Sequence, residues 1–177
     1  METDHQQVLS RIQALFDSPV IQNNLRGLYV EHMVAELLGE GWSGVGVDWA
    51  AWDLQHADGT RLEVKQSALT QTWAAPMNGP SRPSFSIRTP KAVWNGPIKT
   101  EVSNRQADIY VFAWHGVAND ETDQRDFGQW QFFVVPTRKL PPQKSIALGA
   151  IRRFTEATPA QNLRAIVNNL RLGGRNP

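Results

Sequence analysis

Asp53, Glu63 and Lys65 combine residue types and spacing that suit the chemistry of a metal ion and a phosphate. The segment 57–59, Ala-Asp-Gly, predicts a three-residue hairpin loop with glycine at the left-handed position. The resulting register places Asp53 opposite Glu63, with Cβ atoms about 4.5–5.5 Å apart. Because side chains alternate along a strand, Lys65 shares the face of both carboxylates. The opposite, apolar face is predicted to hold Trp52, Leu54, Leu62 and Val64.

Two carboxylates that face each other across a strand pair repel unless a positive charge lies between them. Lys65 neutralises part of this charge, and a hard cation with oxygen ligands, such as Mg²⁺, would neutralise more. The alternative is an exposed hairpin on which Asp53, Glu63 and Lys65 form weak surface pairs. Spacing alone leaves both interpretations open.

Glu31 is a candidate third acid for the same site. Its neighbours at helical spacing are apolar: Leu28, Val34, Ala35 and Leu38. A carboxylate among such residues is costly to bury unless it is paired, protonated or bound to a metal. A structural ion pair with Arg26 or Arg105 is the alternative to a role in the site.

The elements that must position these residues follow from hydrophobic periodicity and capping signals. A first helix is predicted to end near Phe16, a second to run from Pro19 to Leu38, and a last one to open at Thr158. Strands are predicted at 45–55, 60–66, 84–88, 107–115 and 129–135, and the stretch 145–151 as strand or helix. The fold class is therefore α/β, with a central mixed β-sheet of about four or five strands flanked by helices. The 177 residues fit a single domain, 1–177, with a basic C-terminal segment 138–177.

Composition excludes several classes of protein. The chain has no cysteine, so disulfide frameworks, Cys-type zinc sites and thiol catalysis are excluded. Apolar runs are far shorter than a bilayer span, and no signal-peptide pattern opens the chain. We therefore expect a cytoplasmic protein with no membrane partner.

The net charge of +1 conceals two uneven distributions. Residues 1–137 sum to −6, whereas residues 138–177 hold eight basic side chains against one acidic one and sum to +7. Residues 64–100 contain no Asp or Glu, and their cations are interleaved with aromatic residues, a mixture that suits phosphates and base faces. The predicted nucleic-acid-binding residues are Arg82, Arg88, Lys91, Lys99, Trp73 and Trp94. The alternative is a solvated loop and a basic tail.

At the charged residues the chain resembles the PD-(D/E)XK nuclease superfamily. The matching elements are the helical segment 27–31, which ends in Glu31, then Asp53, and then Glu63-Val64-Lys65 on the following strand. The segment 107–112 is similar to the strand that comes next in many members. The resemblance covers roughly residues 20–135 and rests on short, degenerate motifs.

The resemblance implies a restriction endonuclease-like core and a metal-dependent phosphodiesterase. Asp53 and Glu63 would hold Mg²⁺ or Mn²⁺, Glu31 would be an accessory ligand, and Lys65 would orient or activate the attacking water. One departure is that the proline of the motif is absent, since Trp52 precedes Asp53. This leaves Asp48 open as the ligand instead of Asp53, although Asp48 lacks a cross-strand match to Glu63.

The function expected from these features is that of a Mg²⁺-dependent DNA endonuclease, and a restriction endonuclease is one enzyme of this kind. Cleavage of both strands would require two active sites, so a homodimer is expected in that case. A non-catalytic nucleic-acid-binding module on the same fold is the principal alternative. A protein-interaction domain whose basic tail meets an acidic partner is a further one.

Overall fold

The structure is a computed structural model that describes residues 2–45, 50–73, 82–95 and 98–173. These residues form four α-helices: α1 (Glu2–Ala14), α2 (Asn23–Leu38), α3 (Leu148–Ile151) and α4 (Leu163–Gly173). They also form ten strands: β1 (Trp42–Gly44), β2 (Leu54–His56), β3 (Arg61–Ala68), β4 (Ser84–Ser86), β5 (Ala92–Asn95), β6 (Ile98–Glu101), β7 (Ile109–His115), β8 (Trp130–Pro136), β9 (Ser145–Ala147) and β10 (Thr158–Pro159).

The main sheet is mixed, as predicted, and has the strand order β1-β2-β3-β7-β8-β10. Strands β3 and β7 run parallel, and the other neighbours run antiparallel. The described sheet has six strands, so the predicted four or five was too few. The two additional strands, β1 and β10, are only three and two residues long, and they lie at the edges of the sheet.

The sheet separates two hydrophobic clusters. On what we call the helix side, α2 and α4 pack against alternate residues of the central strands, namely Leu54, Leu62, Val64, Ile109, Val111, Ala113, Phe132 and Val134. On the opposite side, Tyr110, Phe112, Phe133 and Val135 are covered by residues of β4, β9 and α3. Strands β4 and β9 pair with each other in a separate antiparallel ribbon, so we call this side of the sheet the ribbon side.

Helix α2 begins at Asn23 and not at Pro19 as predicted. The reason is a side chain about a hundred residues further along the chain. The Gln124 side-chain oxygen accepts the N–H of Ile21 at 2.9 Å, and the backbone N–H of Gln124 donates to the carbonyl of Pro19 at 2.7 Å. These bonds hold residues 19–21 outside the helix, which no local signal could reveal.

The predicted strand 45–55 is also wrong in its extent. Strand pairing is present before it, at Trp42–Gly44, and at its end, at Leu54–His56. Residues 46–49 lie outside the described part of the chain. Trp52 was predicted on the apolar face with Leu54, but it packs with the ribbon-side cluster, and the guanidinium of Arg61 lies 4.3 Å from its ring centroid. The alternation fails here because the chain enters β2 only at Leu54.

Two other predicted elements have different bounds or contain more structure. Helix α4 begins at Leu163 and not at Thr158, because residues 158–159 pair with β8 and a 3₁₀ turn follows them. The stretch 145–151 is a strand and then a helix, β9 followed by α3. The predicted strand near residue 84 is confirmed as β4, and a second hairpin, β5–β6, was missed.

Arg105 joins the chain after β4 to the connection between β8 and β9. Its guanidinium donates to the carbonyls of Ile87 (2.9 Å), Leu140 (3.3 Å), Pro141 (2.7 Å) and Gln143 (3.3 Å). The carbonyls of such connections need partners where water is excluded. A single guanidinium thus fixes both strands of the ribbon relative to the main sheet.

We expect Arg105→Ala to lower the free energy of unfolding by about 2–3 kcal/mol, because several carbonyl acceptors lose a charged donor. Urea unfolding monitored by circular dichroism measures this change. Arg138→Ala is the matched control, since Arg138 lies in the β8–β9 connection that Arg105 contacts but has an exposed side chain. Equal stability of the two variants would contradict the role assigned to Arg105.

Candidate active site

The predicted register of the β2–β3 hairpin is confirmed. Leu54 pairs with Leu62, and the N–H of His56 donates to the carbonyl of Thr60 at 2.9 Å. Gly59 has φ +89°, the left-handed conformation that the loop requires and that glycine adopts without strain. The pairing ends at Leu54 and Leu62, so Asp53 lies just before β2, next to the segment of β3 that carries Glu63.

The Asp53 carboxylate lies in the seam between β2 and β3. The Asp53 backbone still donates to the carbonyl of Leu62 at 3.0 Å. The next N–H along β3, that of Val64, donates to Asp53 Oδ2 at 2.6 Å, so a side chain replaces a strand carbonyl there. This hydrogen bond fixes the carboxylate through one oxygen and leaves Oδ1 for another partner.

Glu63 and Lys65 point to the ribbon side, two residues apart on β3. They alternate with Leu62 and Val64, which belong to the helix-side core. Lys65 Nζ and Glu63 Oε1 form an ion pair, with the Lys65 side chain 30% and the Glu63 side chain 16% exposed. The ammonium is thus held in place but still open to a ligand.

Glu31 reaches the same cluster from helix α2. Asp53, Lys65 and Glu63 all act on its carboxylate electrostatically, with Asp53 the strongest of the three. Neither arginine considered as a structural partner contacts Glu31: within the described residues, Arg26 binds amide oxygens and Arg105 binds carbonyls. Glu31 therefore belongs to the carboxylate cluster and not to a structural ion pair.

Arg26 is nearly fully buried, with 1% of its surface exposed, yet its hydrogen-bond acceptors are neutral. Nε donates to Gln66 Oε1 at 2.7 Å, and Nη2 donates to Asn23 Oδ1 and, at 2.9 Å, to Gln71 Oε1. Burial lowers the pKa of Arg26 to about 10, so it stays charged at neutral pH. The amide side chains hold this cation away from the carboxylates, which leaves Lys65 as their cation within the described part of the chain.

Burial is the main cause of the pKa shifts of the three carboxyl groups in the cluster. Burial, and then the charge of Asp53, raises the pKa of Glu31 to about 7. Burial also raises the pKa of Asp53 and of Glu63, against the opposing effect of Lys65. Burial alone would lower the pKa of Lys65, but the surrounding carboxylates raise it overall. One ammonium faces three carboxylates, an excess that an added cation would neutralise.

Tyr110 is a neighbour of the site that the sequence did not reveal. It pairs with Glu63 in the parallel register of β3 and β7, so both side chains lie on the ribbon side. Burial, and then the charge of Glu63, raises the pKa of Tyr110, which therefore stays protonated. Its proximity follows from the β3–β7 pairing, for which the strand sequences carry no signal.

The donor set suits a hard divalent cation that keeps part of its hydration shell. Among the described residues, no group of three or more His, Asp or Glu side chains is arranged to hold a metal ion by itself. Mg²⁺ does not require such a cage, because it commonly binds through one or two carboxylates together with waters and phosphate oxygens. Among the described residues, Asp53 and Glu63 each engage one carboxylate oxygen, with the Val64 N–H and with Lys65, which leaves the second oxygen for a cation.

The predicted nucleic-acid-binding residues lie outside α2 and the β2–β3 hairpin, the elements that carry this cluster. Four cations are exposed: Arg82 and Arg88 flank β4, and Lys91 and Lys99 lie on the β5–β6 hairpin or next to it. Trp73 is 59% exposed and lines a cavity of about 710 Å³ beside α1 and α2. The side chain of Trp94, like residue Asp48, lies outside what the structure describes.

The basic C-terminal segment is not uniformly available to a ligand. Arg171 forms an ion pair with Asp58 in the β2–β3 turn, and it ties the end of α4 to that turn. The described cations exposed in this segment are Arg138, Lys139, Lys144, Arg152, Arg153 and Arg164. Most of them lie in the segment 138–153, which contains β9 and α3 and covers the ribbon side.

Comparison with known proteins gives distant structural similarity. No protein-family model and no curated protein matches the sequence. The solved structure of a bacterial homing endonuclease, I-Ssp6803I, aligns at a TM-score of 0.41 and 16% identity, over 86% of this chain and 95% of that one. Within the described residues, no helix has the length and apolar character needed to cross a bilayer. The functional interpretation therefore rests on the site itself.

We expect Glu31→Gln to stabilise the metal-free protein at pH 8 by about 1–2 kcal/mol and to change its stability little at pH 4. Glu31 has a folded-state pKa of about 7 against an ordinary value of 4.5. The folded protein therefore retains a proton that the unfolded chain releases, and stability is lost as the pH rises through this interval. Glutamine does not ionise and escapes this loss.

Urea unfolding in EDTA at the two pH values measures the effect. Glu36→Gln, an exposed glutamate on the same helix, is the control. If Glu31→Gln is no more stabilising at pH 8 than Glu36→Gln, the assignment of Glu31 to a repulsive cluster is wrong.

Proposed function

We propose that this protein is a metal-dependent DNA endonuclease with the active-site arrangement of the PD-(D/E)XK superfamily. The observation that carries the proposal is the mutual electrostatic interaction of Glu31, Asp53, Glu63 and Lys65 around the β2–β3 hairpin, with three carboxylates and one ammonium. A purely structural cluster would be expected to balance its charges, because unpaired buried carboxylates destabilise a fold. Restriction is one form that this activity would take.

Each residue has a distinct role in the proposed reaction. Asp53 and Glu63 would be the principal ligands of Mg²⁺ or Mn²⁺, and Glu31 would contribute a further oxygen from α2. When bound, a divalent cation supplies charge that polarises the scissile phosphate and lowers the pKa of a neighbouring water. The protein contributes the position of the two carboxylates, which the Val64 N–H and Lys65 hold in place.

Lys65 would act directly on the reacting phosphate. Its ammonium is oriented by Glu63 and remains 30% exposed, so it can donate a hydrogen bond both to the attacking water and to a non-bridging phosphate oxygen. Negative charge accumulates on these oxygens in the transition state, where a fixed cation stabilises it most. No serine or histidine nucleophile is required.

We expect Lys65→Ala to reduce the cleavage rate by about 10²–10³-fold while binding of DNA is retained, because the lost charge acts mainly in the transition state. Plasmid DNA incubated with Mg²⁺, with Mn²⁺ or with EDTA gives the readout on an agarose gel. Lys139→Ala removes an exposed lysine and is the control. Full activity of Lys65→Ala, or activity in EDTA, would overturn the proposal, and DNA binding without any cleavage would favour the non-catalytic module.

Metal binding is testable without the reaction. We expect Mn²⁺ or Mg²⁺ to raise the melting temperature of the wild-type protein, because a ligand that binds only the folded state stabilises it. The double variant Asp53→Asn/Glu63→Gln should lose this rise. Glu36→Gln/Glu156→Gln removes the same charge from exposed positions and should keep it. An equal rise in both double variants would place the metal elsewhere.

A further inference from the structure

The ribbon brings together two basic regions that are far apart in the sequence. Arg88 follows β4 and Lys144 precedes β9, and the N–H of Ile87 donates to the carbonyl of Lys144 at 2.9 Å. At the other end of the ribbon, the N–H of Leu148 donates to the carbonyl of Pro83 at 3.0 Å, which brings the start of α3 next to Arg82. Each end of the ribbon therefore carries cations near the junction of the two segments.

The outer face of the ribbon carries small side chains, three of them hydroxyls. Phe85 and Ile146 point inward and are buried in the ribbon-side core. The residues that alternate with them are exposed and small: Ser84, Ser86, Ser145 and Ala147. Small hydroxyl side chains between cations allow a phosphate backbone to approach closely and offer it hydrogen-bond donors.

The segments that form the ribbon and its surroundings, residues 82–95 and 138–155, carry an unbalanced positive charge. We call these two segments the ribbon layer. Residues 82–95 and 138–155 contain no Asp or Glu. In the described part of the chain, the cations at the ribbon have no carboxylate within 4.0 Å, whereas Arg125 and Arg171, outside this layer, are paired with Asp123 and Asp58. The exposed cations of the layer nearest the ribbon are Arg82, Arg88, Lys144, Arg152 and Arg153.

We infer that this ribbon surface, defined by the three serines and these five cations, binds the phosphate backbone of a nucleic-acid duplex. Its place in the molecule supports the assignment, because β4 also contacts β3, the strand that carries Glu63 and Lys65 on the same side of the sheet. The ribbon surface and Lys65 therefore lie on the same side of the sheet. The inference deepens the proposed function and rests on it for the identity of the ligand.

The composition of the surface separates a nucleic acid from other polyanionic partners. Protein interfaces are enriched in aromatic residues at their centre, and membrane-surface binding requires apolar side chains that insert. The centre of the ribbon surface has neither, and Phe154, 36% exposed just beyond Arg153, is the large apolar residue near its margin. Phosphate contacts require only cations and hydroxyl or amide donors.

The test is binding of a fluorescent DNA duplex of about 20 base pairs, measured by anisotropy in EDTA over a series of salt concentrations. Lys144→Gln/Arg152→Gln should weaken binding roughly 10–100-fold and reduce the salt slope by about 2, since each phosphate contact contributes about 0.9. Arg11→Gln/Arg164→Gln removes the same charge from exposed helical positions, on α1 and α4, and should leave both quantities unchanged. Equal weakening in the two double variants would overturn the inference.

A second substitution adds charge without removing a cation. Ser86→Glu should weaken duplex binding by repelling the backbone, whereas Ser10→Glu on α1 should not. Wild-type binding by Ser86→Glu, or preference for phosphatidylserine vesicles over the duplex, would also reject the assignment. These binding measurements omit metal, so the two ideas fail separately. Absence of DNA cleavage by the wild-type protein would overturn the proposed function, and unchanged duplex binding by the ribbon variants would overturn this inference.

Discussion

The excess of carboxylates over cations at the β2–β3 seam is the constraint on which the arrangement of the site depends. Like charges on neighbouring strands repel, so the fold must fix them with strong local interactions. The β2–β3 loop sets the register through Gly59, the Val64 N–H fixes Asp53, and Lys65 fixes Glu63. In the described part of the chain, Asp53 and Glu63 are thus each bound through one oxygen. Burial raises the pKa of both carboxyl groups and of Glu31.

The polar interior next to the site preserves this excess. Arg26 is buried close enough to the end of β3 to bond Gln66, the residue after Lys65. Its Nε and Nη2 donate to three side-chain amide oxygens, and its buried Nη1 has no partner among the described residues. Neutral acceptors bind a buried cation without adding a carboxylate. The amide contacts therefore give Arg26 partners other than the carboxylate cluster, although Gln66 follows Lys65 directly in the chain.

The two sides of the sheet are covered by different elements, which differ in surface charge. Helices α2 and α4 cover the helix side and supply most of the aliphatic core, together with Glu31. The ribbon side is covered by a thin layer whose inner face is apolar and whose outer face is cationic. Arg105 holds that layer through backbone carbonyls and not through carboxylates, so the clamp removes no positive charge from its surface. Near-neutral net charge thus coexists with a strongly polarised molecule.

The sequence by itself determined the hairpin. Its loop residues, the pairing of Leu54 with Leu62 and the alternation on β3 are local properties, and they are confirmed because the three-residue loop with Gly59 sets the register. The predicted opposition of residues 53 and 63 lies beyond the observed pairing, which ends at Leu54. The mixed α/β class followed in the same way from periodicity. Only the tertiary structure decided which contacts join distant segments. Gln124 hydrogen-bonds residues 19–21, and Arg26 and Arg105 bind partners other than Glu31. Glu63 pairs with Tyr110, and the pairing of β4 with β9 joins two basic segments. Such contacts depend on packing between elements far apart in the chain, and spacing within a segment carries no information about them.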